Sequence, residues 1–282
     1  GGSQPFSPEY RGIMEIAPRE NGFFVINEVP IQEYLYGVLP SEMPVSWPLE
    51  ALKAQAVTAR TDAVIQALYS AHSHQGFHVT DSQASKVYNN QRESGKANAA
   101  VDATDGLILR SSGEPTVIDS AFHSASPGTT ARASQVWSTE SGHFPGVDYP
   151  YLQAQSLIPG WTLPSQWTED IALEFFQDHH VPAYDQGSPW FRWQVTLTGE
   201  ELSNTINANL QARFAAQPNA VLTKQADGNF APTPIPAQGI GSIRHLEVAA
   251  RGDGGNIMAL DIYGEEMVIR VVKEFNIRFV IR

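Results

Sequence analysis

Residues 39–69 read "LPSEMPVSWPLEALKAQAVTARTDAVIQALY", and the fold turns on them. From about Trp47 to about Tyr69 the pattern predicts one long helix. Ser46 stands where an N-cap oxygen is wanted, and Pro48 falls in the first turn, where a missing N–H costs little. Leu52, Ala56, Ala59, Ala63 and Ala67 recur at helical spacing as a narrow stripe of small residues. Such a stripe calls for close packing against another element. Just ahead of it an acid, Glu42, stands between Pro40 and Pro44. An isolated Glu in a turn is ordinarily a solvated residue, so only its context can give it a role.

Upstream, "YRGIMEIAPRENGFFVINEVP" (10–30) sets two apolar stretches either side of Asn21-Gly22 and reads as a hairpin. Pro30 opens a short helical stretch, "IQEYLYGVL" (31–39), with Ile31, Leu35 and Val38 near one face. Downstream, "SGKANAAVDATDG" (94–106) reads as a short helix stopped by Gly106. "LILRSSGEPTVIDSAFHS" (107–124) reads as two strands around Ser-Gly-Glu-Pro. Residues 153–239 form irregular Trp- and Pro-rich pieces that hold a strand, "FRWQVTLTG" (191–199), and a helix from near Glu200. "VLTKQADGNFAPTPIPAQG" (221–239) reads as loop. The tail alternates apolar and polar residues over at least three strands, broken at Asp253-Gly254-Gly255 and at Gly264, and it ends on a strand-like run. No internal repeat is present. The class is α+β.

A chain of 282 residues, 42% hydrophobic and 17% charged, can bury a real core. No apolar run reaches the length of a membrane span. The leading Gly-Gly-Ser reads as an appended scar, so a targeting segment is expected to have been removed. The absence of cysteine excludes disulfides and cysteine-based zinc sites, and it fits an extracytoplasmic bacterial protein. A formal charge of −12, with no basic cluster, argues against a nucleic-acid partner.

The motifs point further. "INEVPIQEYLYGVLPSEMPVSWPLEALKAQAVTART" (26–61) resembles the signature of the stage II sporulation protein D (SpoIID) family, which includes the LytB-type amidase enhancers. The likeness continues, in order, through "VYNNQ", "AVDATDGLIL", "AFHSASPGTTARASQVW" and "YPYL", and more weakly through "FRWQVTLTGEEL". The resemblance implies a lytic transglycosylase acting on the glycan strands of bacterial peptidoglycan, on strands stripped of stem peptides in the sporulation members. It needs no cofactor, and the family's catalytic acid falls on Glu42. On this reading residues 1–9 are a scar or flexible leader and 10–152 a β-rich catalytic lobe with one long helix. Residues 153–282 are a second, β-rich lobe of the same domain, which carries a glycan-binding groove. A cell-wall amidase is a possible partner.

The residue types suit that chemistry. Most glycoside hydrolases use two carboxylates. A lytic transglycosylase can use one, which protonates the leaving oxygen and then takes the proton of the muramic C6 hydroxyl as a 1,6-anhydro ring closes. Such a group wants apolar surroundings and a stiff mount; Met43, Val45 and Trp47 are expected to supply the first, Pro40 and Pro44 the second. Glu33 and Glu50 lie in first turns of helices and read as structural. Lys53 and Arg60, seven residues apart on the long helix, are expected to meet a lactyl carboxylate or to organise Glu42, against the plainer reading of salt bridges. Gln55 is expected to bond the Glu42 loop. His123, Ser124, Ser126 and Thr130 offer imidazole and hydroxyl groups to sugar hydroxyls and N-acetyl groups. Tyr88, Trp137, Tyr149 and Tyr151 are candidate platforms for sugar rings, or else core.

The chain departs from the family pattern at Pro127-Gly128, where relatives have Gly-Gly, and at Lys86, where they have Gln. Rival readings are a non-catalytic glycan-binding enhancer of an amidase, a hydrolase whose second acid is Asp81, Asp119 or Asp148, and a Ser-His nucleophile, for which no Gly-x-Ser-x-Gly elbow exists. His72, His74, His78 and Asp81 match no standard metal spacing, and no metal site is expected.

Overall fold

The computed structural model describes residues 7–82, 85–89, 91–112 and 116–282. The architecture is mixed α and β, with six α-helices and two antiparallel sheets among the described residues. The chain divides into two compact units, Gly1–Phe122 and His123–Arg282.

In the first unit β1 (Ile13–Arg19) and β2 (Gly22–Glu28) form the expected hairpin, with Arg19 opposite Gly22. Three helices follow: α1 (Ile31–Glu42), α2 (Leu49–Tyr69) and α3 (Gly95–Asp102). The small-residue stripe works as read. Leu52, Ala56, Ala59 and Ala63 are buried against Leu35, Val38 and Leu39 of α1 and Ala97, Ala100 and Val101 of α3. Ala67 is exposed, because the last turn of α2 runs out into solvent with Leu68 and Tyr69.

Three local readings need correction. The long helix starts at Leu49: Pro48 keeps an extended ψ of 145°, and neither it nor Ser46 caps the helix with a side chain. A residue before proline disfavours helical backbone, which keeps Trp47 out as well. Helix α1 runs past Leu39, through Pro40, to Glu42. Finally, 107–124 forms an isolated bridge, Arg110 to Val117, in place of two strands; residues 113–115 of its expected turn lie outside the described residues.

The second unit is built on a five-stranded antiparallel sheet of order β4-β3-β7-β6-β5. Its strands are β3 (Val221–Lys224), β4 (Phe230–Ala231), β5 (His245–Arg251), β6 (Ile257–Tyr263) and β7 (Val268–Val272). Helices α5 (Gly199–Ala216) and α6 (Glu274–Ile281) cover it, and Ile206, Leu210, Val221, Ile262, Ile269 and Val271 form the core. Helix α4 (Glu169–Gln177) lies in the Trp-rich stretch, where no helix was read.

The three tail strands and both their breaks are as expected. Three other readings fail. Residues 191–198 make no strand; there Arg192 spends its guanidinium on the carbonyls of Pro127, Phe175, Asp178 and Phe191. The stretch 221–239 contributes β3 and β4 and is not all loop. The final run is helical: Ile277, Val280 and Ile281 turn to the core at spacings of three and four, and Arg213 of α5 lies over the rings of Phe275 and Phe279.

Helix α5 begins in a full capping box. Thr198 Oγ1 accepts from the Glu201 N–H at 3.2 Å, and Glu201 Oε2 accepts from the Thr198 N–H at 2.8 Å. Thr198→Ala is expected to cost about 1 kcal/mol in urea unfolding; no shift of the midpoint would show the box to be idle.

Candidate functional site

Glu42 is the last residue of α1, and it is half-buried. Pro40 removes one helical N–H, yet the turn closes through the Met43 N–H to Leu39 O at 3.1 Å and the Ser41 hydroxyl to Gly37 O at 2.7 Å. The acid is therefore mounted on a helix end. The sequence reading expected a loop stiffened by its two prolines; here the last helical turn sets the direction of the acid.

Val87, Asn89 and Gln91 dock on this end. The Val87 N–H donates to Glu42 Oε1 at 3.0 Å, the Asn89 N–H to Gly37 O at 3.3 Å, and the Gln91 N–H to Ser41 Oγ at 3.2 Å. Three amides thus dock on Glu42, Gly37 and Ser41 of α1. Gly37 makes the approach possible: a Cβ there would lie 2.2 Å from Asn89 Oδ1 and 2.8 Å from Tyr88 Cε2. Asn89 takes a left-handed φ of 53°. Of the apolar neighbours, Met43 and Val45 pack against the helical core, while Trp47 stays exposed.

A second carboxylate lies in the same neighbourhood. Asp62 of α2 pairs with Lys86 at 3.5 Å, and the two side chains are only 15% and 16% exposed. Lys86 also lies 5.2 Å from the Phe122 ring centre. The pair ties the residue before Val87 to α2, so it holds the amide that holds Glu42. Burial pushes the Asp62 carboxyl above its ordinary 3.8; Lys86 opposes this and Asp119 adds to it. The Tyr34 hydroxyl is buried without a hydrogen-bond partner among the described residues. Burial raises its pKa, and Asp62, Tyr88 and Glu42 raise it further.

The raised Asp62 carboxyl has a sign that can be checked. Between 3.8 and its folded pKa the folded chain binds more proton there than the unfolded chain, so this contribution to stability falls as pH rises through that window. Relative to the parent, Asp62→Asn is expected to gain stability from pH 4 upward in urea titrations. A constant difference across that range would refute the reading.

The other expected residues fall in various places. Arg60 is 4% exposed and sealed in the helical core. It donates to Gln32 Oε1, to the carbonyls of Val101 and Leu107, and to Thr104 Oγ1. Lys53 pairs with Glu50 at 2.7 Å on the surface. Gln55 is buried, and its Nε2 has no partner among the described residues. Tyr88 is also buried, between Tyr10 and Tyr34, with its hydroxyl donating to Asn27 at 3.0 Å. Burial, aided by Tyr10, pushes its pKa up to about 12.

In the second unit His123 and Ser124 are exposed. Ser126 is buried, and both its N–H and its hydroxyl donate to Asp185 Oδ2, at 2.8 and 2.7 Å. Thr130 is locked to Gln155 through its N–H and its Oγ1. Trp137 is exposed, and Tyr149 and Tyr151 sit 5.6 Å apart, tilted. Asp148 pairs with Arg132. No group of three or more His, Cys, Asp or Glu that could hold a metal ion occurs among the described residues.

Sequence reading missed Asp62, Tyr34 and Asp185. Only Asp62 left a signal, an acid on the helix that carries the small-residue stripe.

Comparison with known proteins places this geometry in context. Residues 19–110 match the SpoIID family, described as stage II sporulation protein. An uncharacterized protein of Brachyspira hyodysenteriae is 36% identical over 162 residues, 57% of this chain and 43% of that protein. The amidase enhancer of Bacillus subtilis is 37% identical over 131 residues, 46% of this chain and 16% of that protein. Stage II sporulation protein D of Bacillus amyloliquefaciens is 34% identical over 140 residues, 45% of this chain and 40% of that protein. The chain thus spans less than half the length of each of these relatives. No helix among the described residues is long and apolar enough to cross a membrane.

Proposed function

Because the chain belongs, through residues 19–110, to the stage II sporulation protein D family, we propose that it is a lytic transglycosylase of bacterial cell-wall glycan with Glu42 as its one catalytic acid. The observation that carries this reading is the mount of Glu42: a half-buried carboxyl at a helix end, aimed by the Val87 amide and by the segment docked through Gly37. A solvated surface acid needs no such support.

In the reaction the protonated Glu42 gives its proton to the O4 of the departing N-acetylglucosamine as the muramic C1–O4 bond breaks. The resulting carboxylate then takes the proton of the muramic C6 hydroxyl, and O6 bonds to C1. The acid is regenerated, no water is consumed, and the product carries a 1,6-anhydro end. Positive charge develops at C1 as the bond breaks, so a carboxylate held nearby also stabilises the transition state. Lys86, engaged with Asp62, serves the segment that positions Glu42. Arg60 ties the start of α1 to the end of α3, and Tyr88 anchors its own segment to β2 through Asn27.

A second reading rests on the likeness to a protein named amidase enhancer: the chain binds glycan without cutting it and assists a cell-wall amidase. Mass spectrometry of products from purified glycan strands, naked and peptide-bearing, separates the two. Ends one water lighter than hydrolysis products, absent with Glu42→Gln, identify the transglycosylase. Hydrolysed ends would require a second acid, and Asp62 is then the residue to change. Binding without cleavage by either protein overturns the enzymatic reading in favour of the enhancer.

A further inference from the structure

The second unit carries a cleft of about 630 Å³ lined only by residues of that unit. Its size is that of a ligand site. One rim consists of residues 248–253 in unbroken succession. Side chains on one face of a strand alternate, so a consecutive run means that the cleft follows the strand's edge. Strand β5 is indeed the edge of the five-stranded sheet. Its register against β6 slips at Val248/Ala250 and again at Ala250/Arg251, leaving Ala249 with no partner on β6. Ala249 and Ala250 are exposed, and no hydrogen bond outside the ladder engages their backbone groups among the described residues.

The charges near the cleft select the ligand. Arg251 is 12% exposed and committed to Glu169 through two bonds, at 2.6 and 2.9 Å. Arg132 is held between Asp148 at 3.0 Å and Asp253 at 2.6 Å. The carboxylates are the freer partners, with Glu169 56% and Asp253 45% exposed. Arg251 also holds the Glu169 carboxyl below its ordinary range, so it is anionic at neutral pH. Asp253 is fixed in place, since its carbonyl accepts from the Trp167 indole N–H at 2.8 Å. Three carboxylates against two guanidiniums leave one negative charge, on a chain whose formal charge is −12.

We propose that this cleft binds an extended peptide segment with basic side chains, which adds as a strand to the free edge of β5 while its cations meet Asp253 and Glu169. Backbone pairing supplies affinity in such additions, and alternate side chains supply selectivity. The inference goes beyond the glycan reading and stands on the second unit alone.

The test uses the full chain and three probes: a hexapeptide of alternating Lys and Thr, its Glu-Thr counterpart, and chitotetraose. Titration calorimetry is run with amide NMR mapping. The Lys peptide is expected to bind, to weaken as salt is raised, and to shift the amides of β5. Ala249→Pro removes an edge N–H, and Glu169→Gln with Asp253→Asn removes the charge while keeping shape; each is expected to weaken binding about five- to tenfold. Equal binding of the Glu peptide, or affinity unchanged in both variants, overturns the proposal. Chitotetraose shifting the same amides while the Lys peptide does not would make the cleft a saccharide site. Because Glu42→Gln leaves the cleft intact, the Lys peptide is expected to bind that variant as it binds the parent, whatever becomes of glycan cleavage.

Discussion

Glu42→Gln is expected to lower the rate of anhydro-end formation by on the order of 10²–10⁴-fold or more, the range for loss of a general acid–base. It removes the only proton donor assigned to the leaving oxygen and the only base assigned to the C6 hydroxyl. The fold should be untouched, since the glutamine side-chain oxygen can accept the Val87 amide as Glu42 Oε1 does at 3.0 Å. A change of stability within about 0.5 kcal/mol is expected. Glu42→Ala differs: it strands a part-buried Val87 N–H and is expected to cost about 1–3 kcal/mol besides the activity. Running both variants, with cleavage by mass spectrometry and stability by urea unfolding, separates chemistry from mounting. Undiminished cleavage by a well-folded Glu42→Gln protein would sink the assignment.

Arg60→Met is expected to cost the first unit about 3–5 kcal/mol, the largest stability effect of any substitution considered. The guanidinium gathers Gln32 from α1, the Val101 carbonyl and Thr104 at the end of α3, and the Leu107 carbonyl beyond it. Methionine fills much of the volume but leaves those buried acceptors without their donor, each a desolvation cost with no return. Burial lowers the Arg60 pKa, against the pull of Asp105. Arg60→Lys offers three donors on a point charge in place of a planar fork, so only part of the loss is expected to return. The measurement is the urea midpoint of each variant beside glycan binding. A stable Arg60→Met protein that had lost only binding would make Arg60 a ligand contact and refute the framework role.

How far the sequence reaches is clearest at particular elements. The hairpin, the long helix and the three tail strands were legible because each is a local pattern: a turn dipeptide, a small-residue stripe, a period of two broken by glycine. The last run, "EFNIRFVI", looked like a strand because its β-branched and aromatic residues favour either state; burial of Ile277 and Val280 against α5 and the sheet decided for helix. Helix α1 outran its expected end because tertiary contacts to Gly37, Ser41 and Glu42 stabilise the turn that Pro40 weakens.

The candidate site divides in the same way. Glu42 was singled out by the motif around it, and its position in the chain was enough. The sequence could not say that Arg60 and Tyr88 face inward, that Ser126 is spent on Asp185, or that Asp62 meets Lys86. Those are pairings between residues 24 to 78 positions apart or questions of which side of a segment faces inward, and local preference carries no information on either. By itself the sequence determined the hairpin, the long helix, the three tail strands and the acid to test. Only the tertiary structure decided which polar groups are framework and which remain open to a ligand, because that depends on the partners each group meets when water is excluded.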